Sequence, residues 1–259
     1  MKTAVIAITD HGAAVGRKIG GILACDLYLP ENIAPEAEGV ERYTSSTKEL
    51  LTDIWPKYDA FIFIMAMGIV NRIIKDHIRD KYSDPAVVVV DEMGRYAVSA
   101  LSGHEGGANR LAERVAFICR GDFVVTTGSE ATRTLIIGMG CRRGVSAQRL
   151  EETLLEGLKS IGRSLKEVRL IATVEDKGNE KGLIELSEKL KIPLKLIPKT
   201  LIKTVEDNFE KSELVYKTLG IGSVAEPCAM LGGFRCRLLL KKLRVKETTI
   251  AIAEERFLS

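Results

Sequence analysis

The sequence predicts an α/β protein of two domains, each a largely parallel sheet flanked by helices. First, 259 residues are enough for two domains of ordinary size. Second, short apolar runs alternate with stretches of helical periodicity, the pattern of strand–helix–strand units. Third, a polar connection at 127–134 separates two such patterns. We therefore predict an N-terminal domain over residues 1–130 and a C-terminal domain over residues 131–259.

Composition excludes several classes of protein. The chain is 46% hydrophobic and 28% charged, which is ordinary for a globular protein, and its net charge of +3 is too small to indicate a nucleic-acid partner. No apolar run approaches the roughly 18 residues of a membrane span, and Met1 leads directly into a short apolar strand without a signal peptide. The five cysteines contain no CxxC pair, so we expect reduced thiols, no zinc site and a cytoplasmic location.

In the first domain, apolar runs rich in β-branched residues, such as TAVIAIT, YDAFIFIM and AVVVV, predict buried strands. The predicted strands are 3–9, 26–29, 58–65, 86–90, 96–101 and 123–126. The predicted helices are 13–24, 48–55 (capped by Ser45, Ser46 or Thr47), 69–80 and 105–119, with turns at 10–12 and at Gly68. The first strand lacks a following GxGxxG, so dinucleotide binding has little support.

The second domain repeats the alternation. Its predicted strands are 135–138, 168–173, 194–197, 237–240 and 248–253, of which the last two form a hairpin at a sheet edge. Its predicted helices are 147–160 (capped by Ser146), 181–190 and 223–231, with a helical turn at 199–204 and a polar loop at 206–212.

The stretch 87–109 concentrates the polar chemistry of the chain. An apolar run ends in Asp91-Glu92, and the next run ends in a turn holding Ser102, Gly103, His104, Glu105, Gly106, Gly107 and Asn109. Such a turn before a helix offers N–H groups to an anion. His104 could act as a general acid or base, or could merely cap the helix; Glu105 could equally be a first-turn residue that suits the helix dipole.

Ligands of parallel sheets sit at the carboxyl ends of the strands. Because 68–72, 91–92 and 102–109 all follow predicted strands, we expect them to line one crevice. Two alternatives remain open: Asp91-Glu92 as a polar turn, and Arg72 and Lys75 as a solvated helix face instead of a carboxylate clamp.

A second glycine turn is predicted at 138–144, where Gly138, Gly140 and Gly144 surround Cys141, Arg142 and Arg143. The order of strand, glycines and helix suits an anion. Cys141 has no adjacent base, so it is either a nucleophile with a distant partner or a small packing residue. Ser223 and Glu226 fit a capping box, for which a structural role is the default. From residues alone, we predict an enzyme acting on a carboxylated or phosphorylated small molecule.

Two sets of motifs resemble a known family. VVVVDEMGRYAVSALSGHEGGANRLAERVA, preceded by MGIVNRIIKD, resembles the N-terminal domain of the cobalt-precorrin-5A hydrolases, the CbiG family. IIGMGCRRGVSAQRLEETL, LIATVEDKGNEKGLIELSEKL and GIGSVAEPCAML resemble their C-terminal domain. The resemblance covers residues 58–128 and 135–254, and the order of both sets in one chain is specific.

The resemblance implies opening of the ring A δ-lactone of cobalt-precorrin-5A, with release of acetaldehyde, to give cobalt-precorrin-5B in anaerobic cobalamin biosynthesis. His104 or Glu105 would activate a water, and the N–H groups near Gly106 and Gly107 would hold the oxyanion. The anionic arms of the substrate would meet Arg72, Lys75, Arg142, Arg143 and Lys177. Further substrate contacts are expected from Gly68, Asp91, Ser102, Gly103, Asn109, Gly140, Cys141, Ser223 and Glu226.

Cobalt would arrive inside the substrate, so we expect no cofactor and no protein metal site. Other enzymes of the pathway are candidate partners, nucleic acid and membrane are not, and a homodimer is left open. Many members carry a middle segment, whereas here Thr127 and Thr134 are joined almost directly. The alternatives are a non-catalytic carrier of a corrinoid intermediate and a nucleotide-binding enzyme, although the chain shows no adenine or ribose signature.

Overall fold

Apolar runs of the first unit fold into seven strands. The computed structural model describes residues 1–36 and 38–256, which divide into units Met1–Thr127 and from Gly128 onward. The predicted boundary falls in a short 3-10 helix, Gly128–Thr132. The strands of the first unit are β1 (Thr3–Ala7), β2 (Asp26–Pro30), β3 (Glu41–Tyr43), β4 (Ala60–Ile64), β5 (Ala86–Val90), β6 (Tyr96–Leu101) and β7 (Asp122–Val124). Its helices are α1 (Asp10–Leu23), α2 (Thr47–Ile54), α3 (Met67–Ile74) and α4 (Ala108–Cys119).

The first sheet has the order β3-β2-β1-β4-β5-β6-β7. Strands β1 to β5 are parallel, whereas β6 pairs antiparallel with β5 and β7 runs parallel to β6. Alternate residues face opposite sides, so Val5, Ile62 and Val88 share a core with α1 and α4. On the other face, Phe61 and Phe63 pack with residues of α2 and α3.

The second unit contains β8 (Leu135–Cys141), β9 (Val168–Val174), β10 (Leu194–Ile197), β11 (Arg237–Val245) and β12 (Thr248–Glu254). Its helices are α5 (Ala147–Ser160), α6 (Lys181–Leu190), α7 (Lys199–Lys203), α8 (Glu213–Leu219) and α9 (Ala225–Leu231). The sheet order is β10-β9-β8-β12-β11, in which β8 to β10 are parallel and β12 runs antiparallel to both neighbours. The predicted class, two α/β domains with largely parallel sheets, is confirmed, as are the closing hairpin at an edge and the Ser146 cap.

Four predicted boundaries in the first unit are wrong for local reasons. Residues 10–12 are the first turn of α1, because Thr9 Oγ1 caps the helix by accepting from the Gly12 N–H at 3.1 Å. Gly68 lies inside α3 and is not a turn residue. Helix α3 ends at Ile74, and in the loop that follows Asp84 Oδ1 accepts from the Arg79 N–H at 2.9 Å. Helix α4 begins at Ala108, after Gly107 with φ of 85°.

One short strand and one short α-helix escaped prediction. Strand β3 is a three-residue edge strand, and α8 lies directly after the predicted polar loop. Neither has a buried apolar stripe: none of the residues of α8 is buried. Periodicity could therefore not reveal them.

Candidate functional site

A cavity of about 550 Å³ opens at the carboxyl ends of β4 and β5. Its lining is mostly apolar and includes Met65, Met67, Val89, Met93 and Tyr96. Met93 and Tyr96 are more than half exposed. Apolar walls with a few polar groups at the rim are typical of small-molecule sites. Of these residues, the sequence had indicated only the neighbouring stretches, because Met and Tyr in a turn carry no periodic signal.

The turn between β5 and β6 is held by Asp91. Its Oδ1 accepts from the Tyr96 N–H at 2.8 Å, and its Oδ2 accepts from Arg95 Nε at 2.8 Å and from the Met93 N–H at 3.4 Å. Burial alone would raise the pKa of Asp91, but these hydrogen bonds outweigh burial and hold the pKa below its ordinary value. Asp91 therefore fits the polar-turn alternative, with both oxygens engaged inside the turn.

Glu92, the next residue, lines the same cavity and is partly exposed. Within residues 1–36 and 38–256, its carboxylate forms no hydrogen bond or ion pair. Glu92 thus brings to the cavity a carboxylate that takes no part in the hydrogen bonds of the turn.

The predicted anion clamp on α3 is open to solvent. Arg72 is exposed, and its Nη1 donates to the Gly68 carbonyl oxygen of the same helix at 3.1 Å. Lys75, at the end of the helix, is also exposed. Both cations are accessible to an anionic ligand.

The predicted single crevice is wrong, because β6 reverses direction. Leu101 pairs with Val87 at the start of β5, whereas Ala97 pairs with Val90 at its end. The turn 102–109 therefore lies at the amino end of β5, and Asp91 lies at the opposite end. The sequence did contain the signal: the connection 91–95 is too short for a parallel crossover, which needs a dozen residues or more.

The glycines of the turn 102–109 serve close packing. A Cβ on Gly106 would lie 2.5 Å from Ser102 Cβ, and one on Gly103 would lie 2.6 Å from Asn109 Oδ1. Ser102 is buried with φ of 54°, and its hydroxyl has no hydrogen-bond partner among the described residues. Asn109 joins the turn to its surroundings, since Oδ1 accepts from Ser99 Oγ at 2.8 Å and Nδ2 donates to Thr127 Oγ1 at 3.0 Å.

Some of the backbone N–H groups that were expected to bind an anion form hydrogen bonds within the turn 102–109 instead. The N–H groups of Ala108 and Asn109 donate to the carbonyl oxygens of Ser102 and Gly103 at 3.2 and 3.0 Å. These two N–H groups are consequently committed to the loop. The remaining candidates, Gly106 and Gly107, precede α4.

The predicted catalytic pair sits at the surface of this turn. His104 is exposed, and Glu105 Oε1 lies 3.7 Å from Lys81 Nζ in a solvent-accessible ion pair. Their catalytic roles stay predictions.

In the second unit, polar groups gather where β8 and β9 end. Lys177 Nζ lies 3.1 Å from Glu180 Oε2, and Glu180 Oε1 accepts from the Gly144 N–H at 2.6 Å. Burial raises the pKa of Cys141 to about 11, with a smaller lowering by Lys177 and a smaller raising by Glu180. The thiol is therefore protonated near neutrality, which disfavours a nucleophile and fits the packing alternative. Glu180 went unpredicted, although it stands three residues after Lys177.

The second predicted glycine turn is wrong over most of its length. Gly138, Gly140 and Cys141 belong to β8, and only the following residues turn toward α5. Glycine is required at position 138 because a Cβ there would lie 1.8 Å from the Ala225 carbonyl oxygen of α9. At Gly140 a Cβ would lie 2.6 Å from Thr249 Oγ1.

The two arginines of this segment do lie in a turn. Arg142 and Arg143 are exposed before Gly144, which has φ of 76°. They remain accessible to an anionic ligand, next to the N-terminus of α5.

The predicted capping box at Ser223 and Glu226 is also wrong. Val224 is the N-cap of α9, and no side chain caps it. Glu226 Oε1 instead accepts from the Lys242 N–H at 3.3 Å, at an irregularity of β11. Ser223 and Glu226 are 3% and 5% exposed, and within the part of the chain that the structure describes Ser223 Oγ and Glu226 Oε2 have no hydrogen-bond partner. Both residues are predicted substrate contacts, yet a ligand would have to open the structure to meet them.

The described residues, 1–36 and 38–256, offer neither a cluster of metal ligands nor a membrane-spanning helix. No three His, Cys, Asp or Glu side chains among them gather in a way that could hold a metal ion. None of their helices is both long and apolar enough to cross a bilayer.

The fold is that of an α/β protein with an apolar cavity at the ends of two parallel strands. The model described as "Cobalamin synthesis G N-terminal" matches residues 49–130, and "Cobalamin synthesis G C-terminus" matches residues 135–253. The matches leave only 1–48, 131–134 and 254–259 uncovered. The chain belongs to the cobalamin synthesis G (CbiG) family.

Curated relatives agree along nearly the whole chain. The "Cobalt-precorrin-5A hydrolase" of Priestia megaterium is 25% identical over 352 aligned residues, covering 96% of this chain and 94% of the relative. The protein of the same name from Salmonella typhimurium is 24% identical, with 96% of each chain covered. Because the alignment to the first relative exceeds the 259 residues here, that relative carries segments that this chain lacks.

One solved structure covers only part of the chain. CobE, described as a protein from the cobalamin (vitamin B12) biosynthetic pathway, is 34% identical. The match covers 48% of this chain and 91% of CobE, with a TM-score of 0.45.

Proposed function

We propose that this protein hydrolyses the ring A δ-lactone of cobalt-precorrin-5A in cobalamin biosynthesis. The observation that carries the proposal is the near full-length similarity to two proteins named cobalt-precorrin-5A hydrolase. Subsequent carbon–carbon cleavage would expel the two-carbon fragment as acetaldehyde and give cobalt-precorrin-5B. This would be an activity of a cytoplasmic enzyme whose cobalt belongs to its substrate.

The chemistry places three demands on the protein. A water must reach the ester carbonyl, a general base must take its proton, and the anionic tetrahedral intermediate must be stabilised. The substrate is a flat macrocycle with anionic arms. The apolar cavity at the ends of β4 and β5 suits the flat, apolar part of such a molecule.

Accessible cations suit the arms. Arg72 and Lys75 are exposed on α3 of the first unit, and Arg142 and Arg143 are exposed in the second. Guanidinium groups bind carboxylates in a bidentate manner. Lys177 offers less positive charge to the anionic arms of the substrate, because Glu180 already pairs with it.

The test is incubation of the full chain with cobalt-precorrin-5A under anaerobic conditions. We expect the mass of the macrocycle to change by one water gained and one acetaldehyde lost, and acetaldehyde to accumulate beyond one equivalent of protein. Unchanged substrate, with no shift in its visible spectrum on adding protein, would contradict the proposal.

A carrier is the second candidate, favoured by the segments that the relative has and this chain lacks. A carrier would change the visible spectrum of the substrate by binding, yet would leave the lactone closed. The same incubation therefore separates both functions.

A further inference from the structure

We infer that Glu92 is the general base that activates the hydrolytic water; this inference rests on the proposed function. Glu92 lines the apolar cavity at the ends of β4 and β5, where the macrocycle would bind. The cavity has three charged residues in its lining, Asp91, Glu92 and Arg95. Asp91 and Arg95 form an ion pair with each other at 2.8 Å. Glu92 therefore holds the uncompensated charge of the lining.

The backbone that carries Glu92 is fixed on both sides. Before it, Asp91 accepts three hydrogen bonds from the turn. After it, the Gly94 N–H donates to the Asp91 carbonyl oxygen at 2.8 Å. Gly94 has φ of 69°, and a Cβ on it would lie 3.1 Å from Cys119 Cβ, so the turn packs against α4. The turn therefore fixes the backbone position of Glu92 at the rim of the cavity before the substrate arrives.

Other carboxylates of the first unit's predicted site are occupied. Both oxygens of Asp91 accept hydrogen bonds inside the turn, and Glu105 pairs with Lys81 at the other end of the sheet. A carboxylate that must accept a proton from water needs a free lone pair and access to the ligand. Glu92 meets both conditions.

The apolar walls favour this role. When a flat ligand covers Met67, Val89 and Tyr96, it removes water from the neighbouring carboxylate.

The step balances without a further reactant. Glu92 takes one proton from water as the water oxygen bonds to the lactone carbonyl carbon. The carbon–oxygen bond of the ester then breaks, and the proton passes from Glu92 to the departing alkoxide. The products are a carboxyl group and an alcohol, and no electron is exchanged with an outside group.

The experiment compares Glu92→Gln with the wild-type full chain on cobalt-precorrin-5A. The amide has the same shape but accepts no proton, so we expect kcat for lactone opening to fall by about 10²–10⁴-fold while KM and the binding spectrum change little. Glu92→Asp should recover part of kcat. Glu41→Gln is the matched control, because Glu41 is exposed on β3 at the far edge of the same sheet.

The outcomes are distinct. If the wild type turns over and the kcat of Glu92→Gln is unchanged, the inference is overturned and the proposed function stands. The same holds if His104→Ala loses turnover and Glu92→Gln does not. A matching loss in Glu41→Gln would also overturn it, since the effect would then be one of charge. No opening by the wild type overturns the proposed function and the inference with it.

Discussion

Lys177 and Glu180 form an ion pair that is almost removed from water, with side chains 12% and 11% exposed and Nζ 3.1 Å from Oε2. A second bond, from the Gly144 N–H, ties Glu180 to the turn before α5. The pair therefore links the end of β9 to the end of β8.

We expect Glu180→Gln to destabilise the second unit by about 1–3 kcal/mol, because Lys177 would keep its charge with little water. Burial alone would raise the pKa of Glu180, but the Gly144 bond and the Lys177 ammonium hold it below its ordinary value. A lowered folded pKa contributes stability above the ordinary Glu pKa, and that contribution is lost as the pH falls through the folded value. Urea unfolding should show that the difference in unfolding free energy between the wild type and Glu180→Gln is smaller at about pH 4 than at neutral pH.

The control is Glu185→Gln, an exposed carboxylate on the same helix, α6. Equal losses for both variants would mean that the Lys177 pair contributes nothing specific.

Gly138→Ala should destabilise the second unit by about 3 kcal/mol or prevent its folding. The added Cβ would lie 1.8 Å from the Ala225 carbonyl oxygen, and backbone at that position cannot move without displacing α9. Gly21→Ala is the counterpart: nothing lies within 4 Å of its Cβ on α1, so we expect a gain of about 0.5–1 kcal/mol. Thermal unfolding of both variants measures the contrast, and a tolerated Gly138→Ala would mean that α9 can shift.

Cys141 should react slowly with iodoacetamide. Burial raises its pKa to about 11, so little thiolate exists near neutrality, and the rate should climb with pH until about 11. Lys177→Met should slow the reaction further, because Lys177 lowers this pKa. Peptide mass spectrometry after timed labelling follows the site; fast labelling at neutral pH would contradict the buried thiol.

Glu226→Gln should stabilise the second unit by about 1 kcal/mol, whereas Glu226→Ala should destabilise it by about 1–3 kcal/mol. The amide oxygen can still accept from the Lys242 N–H, and a buried carboxylate with an unpartnered oxygen is replaced by a neutral group. Alanine removes that acceptor. Chemical denaturation of the two variants decides; a loss in Glu226→Gln would show that the charge itself is needed.

Local signals predicted the elements that local chemistry decides. The run 86–90, the helix 181–190 and the Ser146 cap were predicted with their observed bounds, since apolar runs and caps act within a few residues. The glycines of β8 misled, because Gly138 is required by α9 and Gly140 by Thr249 of β12, both of which lie far along the chain. The predicted capping box is wrong for a similar reason, since Glu226 accepts a hydrogen bond from the Lys242 N–H at an irregularity of β11.

Whether the predicted site residues lie close together depends on the direction of β6 and not on the motifs. All the motif residues were visible, yet their grouping required β6 to be parallel, and it is antiparallel. The apolar cavity was invisible in the sequence because its wall combines a helix start, a strand and a turn.

The reversal of β6 places the glycine turn 102–109 and the cavity at opposite ends of β5. Five residues of β5 span about 16 Å at about 3.3 Å per residue, which exceeds the roughly 7–10 Å over which substitutions usually couple. Changes at His104 and at Glu92 should therefore add in a double-mutant cycle of unfolding free energies. Residues of the glycine turn at one end of the sheet can then be substituted without altering the cavity at the other end.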